Sequence, residues 1–236
     1  VSHPSFLAKK RENFLYMSLS CIIPLEAHNE WTVERTEKIL SLKSVFDEVI
    51  LVGSDQGLQL RLPPNFKRVS SSKDKLAQLM NAGAREASST YLNFLLFDSD
   101  FEILNFQKLR LNLKEKVLFY FDLQFSNPAP VLCGVNAWAA NARADLARTP
   151  FYEQCLTLSK KDFYAAGAFN EILSEGADAE FIKRWRKAGN QIQKAKGCIF
   201  ASPRKYIQNG WLKSTQRSIA WNLKFWAGKE PKELLS

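Results

Sequence analysis

A chain of 236 residues, 46% of them hydrophobic, is long enough for one substantial domain and barely for two. No apolar run reaches the roughly 18 residues of a membrane-crossing helix, and Val1 to Tyr16 has no apolar core of a signal peptide. The net charge of +9 is uneven: residues 181–236 hold 13 lysines and arginines against Glu230 and Glu233, a patch suited to phosphorylated ligands, an anionic membrane surface or nucleic acid.

Taken in order, residues 1–16 read as an N-terminal extension before Met17. Leu19–Pro24 predicts a buried strand. Trp31–Phe46 predicts a helix, with Val33, Ile39, Leu40, Leu42 and Val45 set among charges. Val49–Val52 predicts a strand stopped by Gly53, and Lys67–Ser70 a third short one. Asp74–Ala87 predicts a helix capped by Ser72, with Leu76, Leu79, Met80 and Ala84 on one face. Tyr91–Phe97 is a dense apolar run that ends abruptly in Asp98-Ser99-Asp100. Further strands are expected at Lys116–Phe125, Leu156–Leu158 and Gln191–Lys194, and helices at Asn136–Ala147 and Asp178–Ala188. This order predicts an α/β fold, a mostly parallel central sheet flanked by helices. Cys21, Cys133, Cys155 and Cys198 lack metal-ligand spacing and read as reduced thiols of a cytoplasmic protein.

The tail Asn209–Ala227 sets Trp211, Trp221 and Trp226 among Lys213, Arg217 and Lys224. It suits a helix packed over the sheet or a helix lying at an anionic lipid surface. A nucleic-acid patch is the reading it supports least.

In an open parallel sheet, ligands bind beyond the carboxyl ends of the strands. The first strand end delivers Glu26 and Glu30, the second Ser54 and Asp55, and the Tyr91–Phe97 run Asp98 and Asp100. Carboxylates gathered at one edge repel and call for a cation. Their hard oxygens suit Mg²⁺ or Mn²⁺ rather than zinc. Asp98-Ser99-Asp100 reads equally as a solvated turn, and Asp178 as an acid favoured by its helix dipole.

Several segments, in order, resemble family 2 glycosyltransferases of the GT-A fold. They are Leu19-Ser-Cys-Ile-Ile-Pro24 with Asn29-Glu30, Asp47-Glu-Val-Ile-Leu-Val52, Ala77-Gln-Leu-Met-Asn-Ala-Gly-Ala84, Leu95-Leu-Phe-Asp-Ser-Asp100, Gly167-Ala-Phe-Asn-Glu171 and the helix from Asp178 to Gly189. Pro150-Phe-Tyr-Glu-Gln154 and the Trp211 to Leu223 stretch resemble a bacterial subgroup named for association with radical-SAM/selenoprotein domains. The resemblance covers roughly residues 18–235 and implies a Rossmann-like GT-A sheet with a C-terminal helical extension. It also implies Asp98 and Asp100 as metal ligands for Mn²⁺ or Mg²⁺, and nucleotide-sugar contacts at Pro24, Glu26, Glu30, Ser54, Asp55, Lys75, Asn81 and Asp98. Asp178 becomes the catalytic base, with Glu180 in reserve, and Glu153, Gln154 and Gly167 lie on the acceptor side. The chain departs from the family pattern at Gly53, where an aspartate usually ends the second strand, and at Ala177, where an acid pair is usual.

The expectation is a GT-A domain over residues 17–208 and a basic, Trp-rich helix over 209–236. Its activity is metal-dependent, inverting transfer of a hexosyl group from a nucleoside-diphosphate sugar, UDP-sugar favoured, to a hydroxyl of an unassigned acceptor (a lipid or a glycan). The setting is cytoplasmic or peripheral on the inner membrane face. A catalytically decayed GT-A binding module is the alternative. A sugar-1-phosphate nucleotidyltransferase ranks lower, because Leu25-Glu26-Ala27-His28-Asn29 offers no Gly-rich triphosphate loop.

Overall fold

The computed structural model describes residues 17–26, 29, 31–54 and 62–209. The extension 1–16, Glu30, Asp55 and the Trp-rich stretch from 210 onward lie outside them.

Eight strands form one sheet in the order β3-β2-β1-β4-β7-β6-β8-β5. β1 (Leu19–Leu25), β2 (Glu48–Gly53), β3 (Phe66–Ser70) and β4 (Tyr91–Phe94) run parallel, each pair in unbroken register. The edge strand β3 carries Lys67 and Arg68 and is mostly exposed, while β1, β2 and β4 are largely apolar and buried almost throughout. That is the composition of strands covered on both faces. β7 (Thr157–Ser159) joins β4 antiparallel and pairs with β6 (Val117–Phe125), which runs parallel to β8 (Gln191–Ala201). β5 is only Asp100–Phe101 and pairs antiparallel with β8.

Helices cover the sheet: α1 (Val33–Ser41), α2 (Leu76–Glu86), α3 (Ile103–Arg110), α4 (Cys133–Leu146), α5 (Lys160–Ala165), α6 (Ala177–Lys187) and α7 (Arg204–Asn209). Two apolar cores result, one on each sheet face. One is built around Leu19, Ile23, Leu51 and Phe106, the other around Ile22, Val52, Met80, Phe163 and Trp185. α2 lies so close to the sheet that a Cβ on Gly83 would meet Ile22 at 2.5 Å and Val52 at 2.9 Å.

Three expectations are corrected. The Asp74–Ala87 helix starts at Leu76 with Lys75 at its N-cap and no side-chain cap, so Ser72 does not cap it. The Tyr91–Phe97 run is strand only to Phe94; Leu95 still donates to Ile22 O, then a turn closed by Ser99 N–H on Leu96 O carries the chain to Asp100. The strand expected at Gln191–Lys194 runs on to Ala201.

A buried polar knot ties the first strands to the end of α2. The Glu48 carboxylate accepts from Ser20 Oγ at 2.6 Å and from Ser88 N and Oγ at 2.9 and 3.1 Å, and it pairs with Lys67.

Candidate functional site

At the carboxyl ends of β1 and β4 a cleft of about 1000 Å³ opens, lined by Glu26, Lys75, Asp98, Ser99, Glu153 and Asp178 among others. A smaller cavity of about 400 Å³ lies on the far side of Asp98 and takes in Arg35, Lys38, Asp100, Ser126 and Arg204. Asp98 therefore stands on the boundary of two cavities, while Asp100 faces only the smaller one.

The Asp98-Ser99-Asp100 turn is clamped by Arg35. Thr32 caps α1 by accepting the Arg35 N–H at 3.1 Å, which fixes Arg35 in the first turn. Its guanidinium donates to Ser99 O at 2.7 Å and Asp98 O at 3.3 Å, and Nη1 lies 3.3 Å from Asp100 Oδ1. Ser126 Oγ donates to Asp100 Oδ2 at 3.1 Å. Sequence reasoning missed Arg35. The signal was available, since the first helix after β1 starts beside the β4 strand end in any such sheet.

Metal fit follows from this donor set. Asp98 and Asp100 offer carboxylate oxygens and Ser126 a hydroxyl, all hard donors. Among the described residues no group of three or more His, Cys, Asp or Glu side chains is placed to hold an ion. The set fits a Mg²⁺- or Mn²⁺-type cation that takes its remaining ligands from water and substrate phosphates.

Asp178 sits in the first turn of α6, 6% exposed. Oδ2 accepts Tyr152 N–H at 2.9 Å and Oδ1 accepts Ala179 N–H at 2.8 Å. Burial pushes its pKa up, against the downward pull of those two N–H groups and of the Arg143 charge. Arg143 of α4 is held in turn by Thr149 O at 3.0 Å and by the Phe151 ring, 3.4 Å beneath its guanidinium. Burial lowers the Arg143 pKa while Asp178 and Glu153 oppose that; a guanidinium stays charged regardless.

The remaining candidates divide. Glu26, Lys75 and Glu153 reach the cleft. Glu26 N–H is fixed by Asn29 Oδ1 at 2.7 Å, and Lys75 Nζ donates to Ile172 O at 2.7 Å. Pro24 is buried within β1 opposite Val52, and Ser54 is exposed just past β2. Asn81 is turned to structure: its amide donates to Phe169 O at 2.8 Å and accepts Phe169 N–H at 3.1 Å, anchoring the loop that α2 packs against. Gln154 is fully buried, donating to Phe121 O at 3.3 Å. Gly167 is exposed, with a φ of +88°, and a Cβ there would meet Arg184 Nη1 at 2.8 Å. Pro24, Ser54, Asn81, Gln154 and Gly167 are absent from the cleft lining. Glu30 and Asp55 lie outside the described residues. Gly53, where an aspartate was to be expected, is packed so tightly that a Cβ would meet Leu25 O at 2.6 Å.

No family model matches the chain, and no curated protein is similar to it in sequence. Solved structures are similar in fold. GalNAc-T7 with UDP, GalNAc and Mn²⁺ gives a TM-score of 0.59 at 11% identity, over 79% of this chain and 44% of that one. TarS of S. aureus also gives 0.59, at 17% identity over 79% and 37% of the two chains. TarS 1-349 in complex with UDP-GlcNAc gives 0.59 at 15% identity over 79% and 58%. The chain spans less than two thirds of the length of each. At such identities the shared property is architecture: the chain has the GT-A fold, a curled, mostly parallel sheet flanked by helices.

Proposed function

We propose that this chain is a metal-dependent, inverting hexosyltransferase of the GT-A type. It takes a nucleoside-diphosphate sugar, a UDP-sugar first, and transfers the sugar to an acceptor hydroxyl on a lipid or glycan. The observation that carries the reading is the common cleft, which Asp98 and Asp178 both line, at the edge of the sheet where such folds bind ligands. The crystallised neighbours hold UDP, UDP-GlcNAc or Mn²⁺, which supports the donor class.

In this reading Asp98 and Asp100 hold the cation, and Lys75 leaves Ile172 O to meet phosphate. When bound, Mg²⁺ or Mn²⁺ neutralises charge on the departing diphosphate. Asp178 takes the proton from the acceptor hydroxyl as that oxygen attacks the anomeric carbon from the face opposite the leaving group. A carboxylate has about four acceptor positions, so the two backbone N–H bonds leave Asp178 room to accept that proton. Glu153 lies at the cleft rim to orient the acceptor. Glu30 and Asp55 are kept as nucleoside contacts, and the tail 209–236 as a covering or membrane-facing helix. Membership of the radical-SAM-associated subgroup belongs to the same proposal.

A decayed binding module is the second reading. It is favoured by one observation, the engagement of Asp100 by both Arg35 and Ser126. Thermal-shift measurement with UDP-, GDP- and dTDP-sugars, with and without Mn²⁺, separates the two. A UDP-sugar with Mn²⁺ should raise the melting temperature. Stabilisation by none of these sugars rules out the transferase.

A further inference from the structure

α4 is inverted relative to an ordinary surface helix. Its sheet-facing side is made of small residues, Cys133, Ala137, Ala140 and Ala144, all buried. Its large apolar residues point outward. Val131, just before the helix, is 93% exposed, Val135 52%, Trp138 71% and Leu146 85%. At 3.6 residues per turn these positions fall along one stripe, with Ala139 and Ala142 between them, over a helix about 20 Å long. Single exposed apolar residues are ordinary; a continuous stripe is an interaction surface.

We propose that this stripe seats α4 on an anionic membrane surface. Charge is the first argument. One acidic residue, Asp145, flanks the stripe and is neutralised by Lys194 Nζ at 2.6 Å, and the stripe ends beside two exposed arginines, Arg148 and Arg186. Arg186 donates to Ala147 O at 2.8 Å and Arg148 to Ile192 O at 3.4 Å, so two guanidinium groups are held at the C-terminal end of α4. Apolar side chains flanked by Arg and Lys are the pattern of a helix lying in the headgroup layer. Size is the second argument. A stable protein interface takes roughly 20–30 residues a side, and one helix face with four large side chains falls well short. The same helix backs the cleft, through Arg143 on Phe151 and through the hydrogen bond between Asn136 and Tyr206. Seating α4 therefore puts the helix that backs the cleft against the bilayer. The proposal goes beyond the transferase reading, because the contact is made whether or not the cleft turns over.

The test is flotation of the full chain with phosphatidylcholine vesicles, with and without phosphatidylglycerol. The chain should float with the anionic vesicles. Val135→Glu with Trp138→Glu should lower the bound fraction about tenfold or more, and Arg148→Gln with Arg186→Gln should lower it at low salt. Leu104→Glu, an exposed apolar position on α3, should change nothing. Melting temperatures check that each variant folds. No flotation of the wild type, or equal flotation of the stripe variant, overturns the proposal. So does a dimer, by light scattering, that the stripe variant dissolves without any vesicle binding. Donor-induced stabilisation measured on the same proteins reports separately on the transferase reading.

Discussion

Arg35→Gln probes the metal assignment most directly, because the guanidinium already stands beside the oxygen a cation would take. Nη1 lies 3.3 Å from Asp100 Oδ1. A Mg²⁺ or Mn²⁺ ion binds such an oxygen at about 2.1 Å, which leaves the two cations roughly 4–5 Å apart. At that separation a single and a double charge repel by about 2 kcal/mol at the permittivity of water and by about 7 kcal/mol at an effective value of 20. The side chain is 18% exposed, so it can swing away, giving up an ion pair and its carbonyl bonds at a loss of about 1–3 kcal/mol. That is the lower-energy route and sets the penalty. Removing it should tighten Mn²⁺ binding about 10–100-fold, at 1.4 kcal/mol per factor of ten. Gln keeps a donor for the Ser99 carbonyl, so the turn retains part of its clamp. The assay is Mn²⁺ titration without nucleotide, following free Mn²⁺ by electron paramagnetic resonance. Adding Asp100→Asn should abolish the gain. Equal or weaker binding by Arg35→Gln refutes the reasoning.

Asp178→Asn should lower turnover by about 10²–10⁴-fold while donor-induced stabilisation persists; unchanged turnover dismisses Asp178 as the base. The variant should also lose about 1–3 kcal/mol in denaturant titration, since an amide NH₂ must now face the N–H of Tyr152 or Ala179. The upward shift of Asp178 has a sign in both activity and stability. Turnover should fall on acidification at a higher pH than an ordinary carboxylate would give. The folded state binds the proton more readily than the unfolded one, so this residue's contribution to stability is lost as pH rises from the unfolded to the folded pKa. A pH–rate profile with no limb above the ordinary carboxylate range counts against it. At Glu48 burial raises the pKa, but hydrogen bonds from Lys67, Ser20 and Ser88 outweigh it and the net shift is downward. Its contribution is present above the unfolded pKa and lost as pH falls through the folded one. Glu48→Gln should cost about 1.5–3 kcal/mol in urea at neutral pH and flatten that acid limb; a stability within error of wild type contradicts it.

The parallel half of the sheet was legible because β1, β2 and β4 are short apolar runs between polar segments, a pattern burial on both faces demands. The site was legible where backbone topology alone decides it. Asp98, Glu26 and Asp178 follow from strand ends and a helix start, and all three line one cleft. Asn81 and Gln154 lie off the cleft lining, because a polar residue next to a motif looks the same in sequence whether it faces a ligand or a carbonyl. Asn81 answers Phe169, 88 positions away, and Gln154 answers Phe121. Such pairs depend on which loops the fold brings together, and no local pattern carries that. The stripe on α4 escaped for a related reason. Ala-rich with a few large apolar residues, it reads as a buried helix; only the packing reveals that alanines take the inside and Trp138 the outside.

Asp178 carries the remaining tension, since two backbone hydrogen bonds and near-complete burial look like the marks of a structural helix-end acid. The same features serve a base. An exposed aspartate holds its proton too weakly to accept one from a hydroxyl at neutral pH. Burial corrects this by raising its proton affinity, and the Arg143 charge keeps the ionised form accessible. The two N–H bonds fix the carboxylate's orientation while using one acceptor position on each oxygen. Holding the Tyr152 and Ala179 N–H groups and receiving a proton would therefore draw on different lone pairs of one side chain. That is why Asp178→Asn is expected to lower stability and turnover together while sparing the donor, for which Asp98 and Lys75 are the proposed phosphate-side residues of the same cleft.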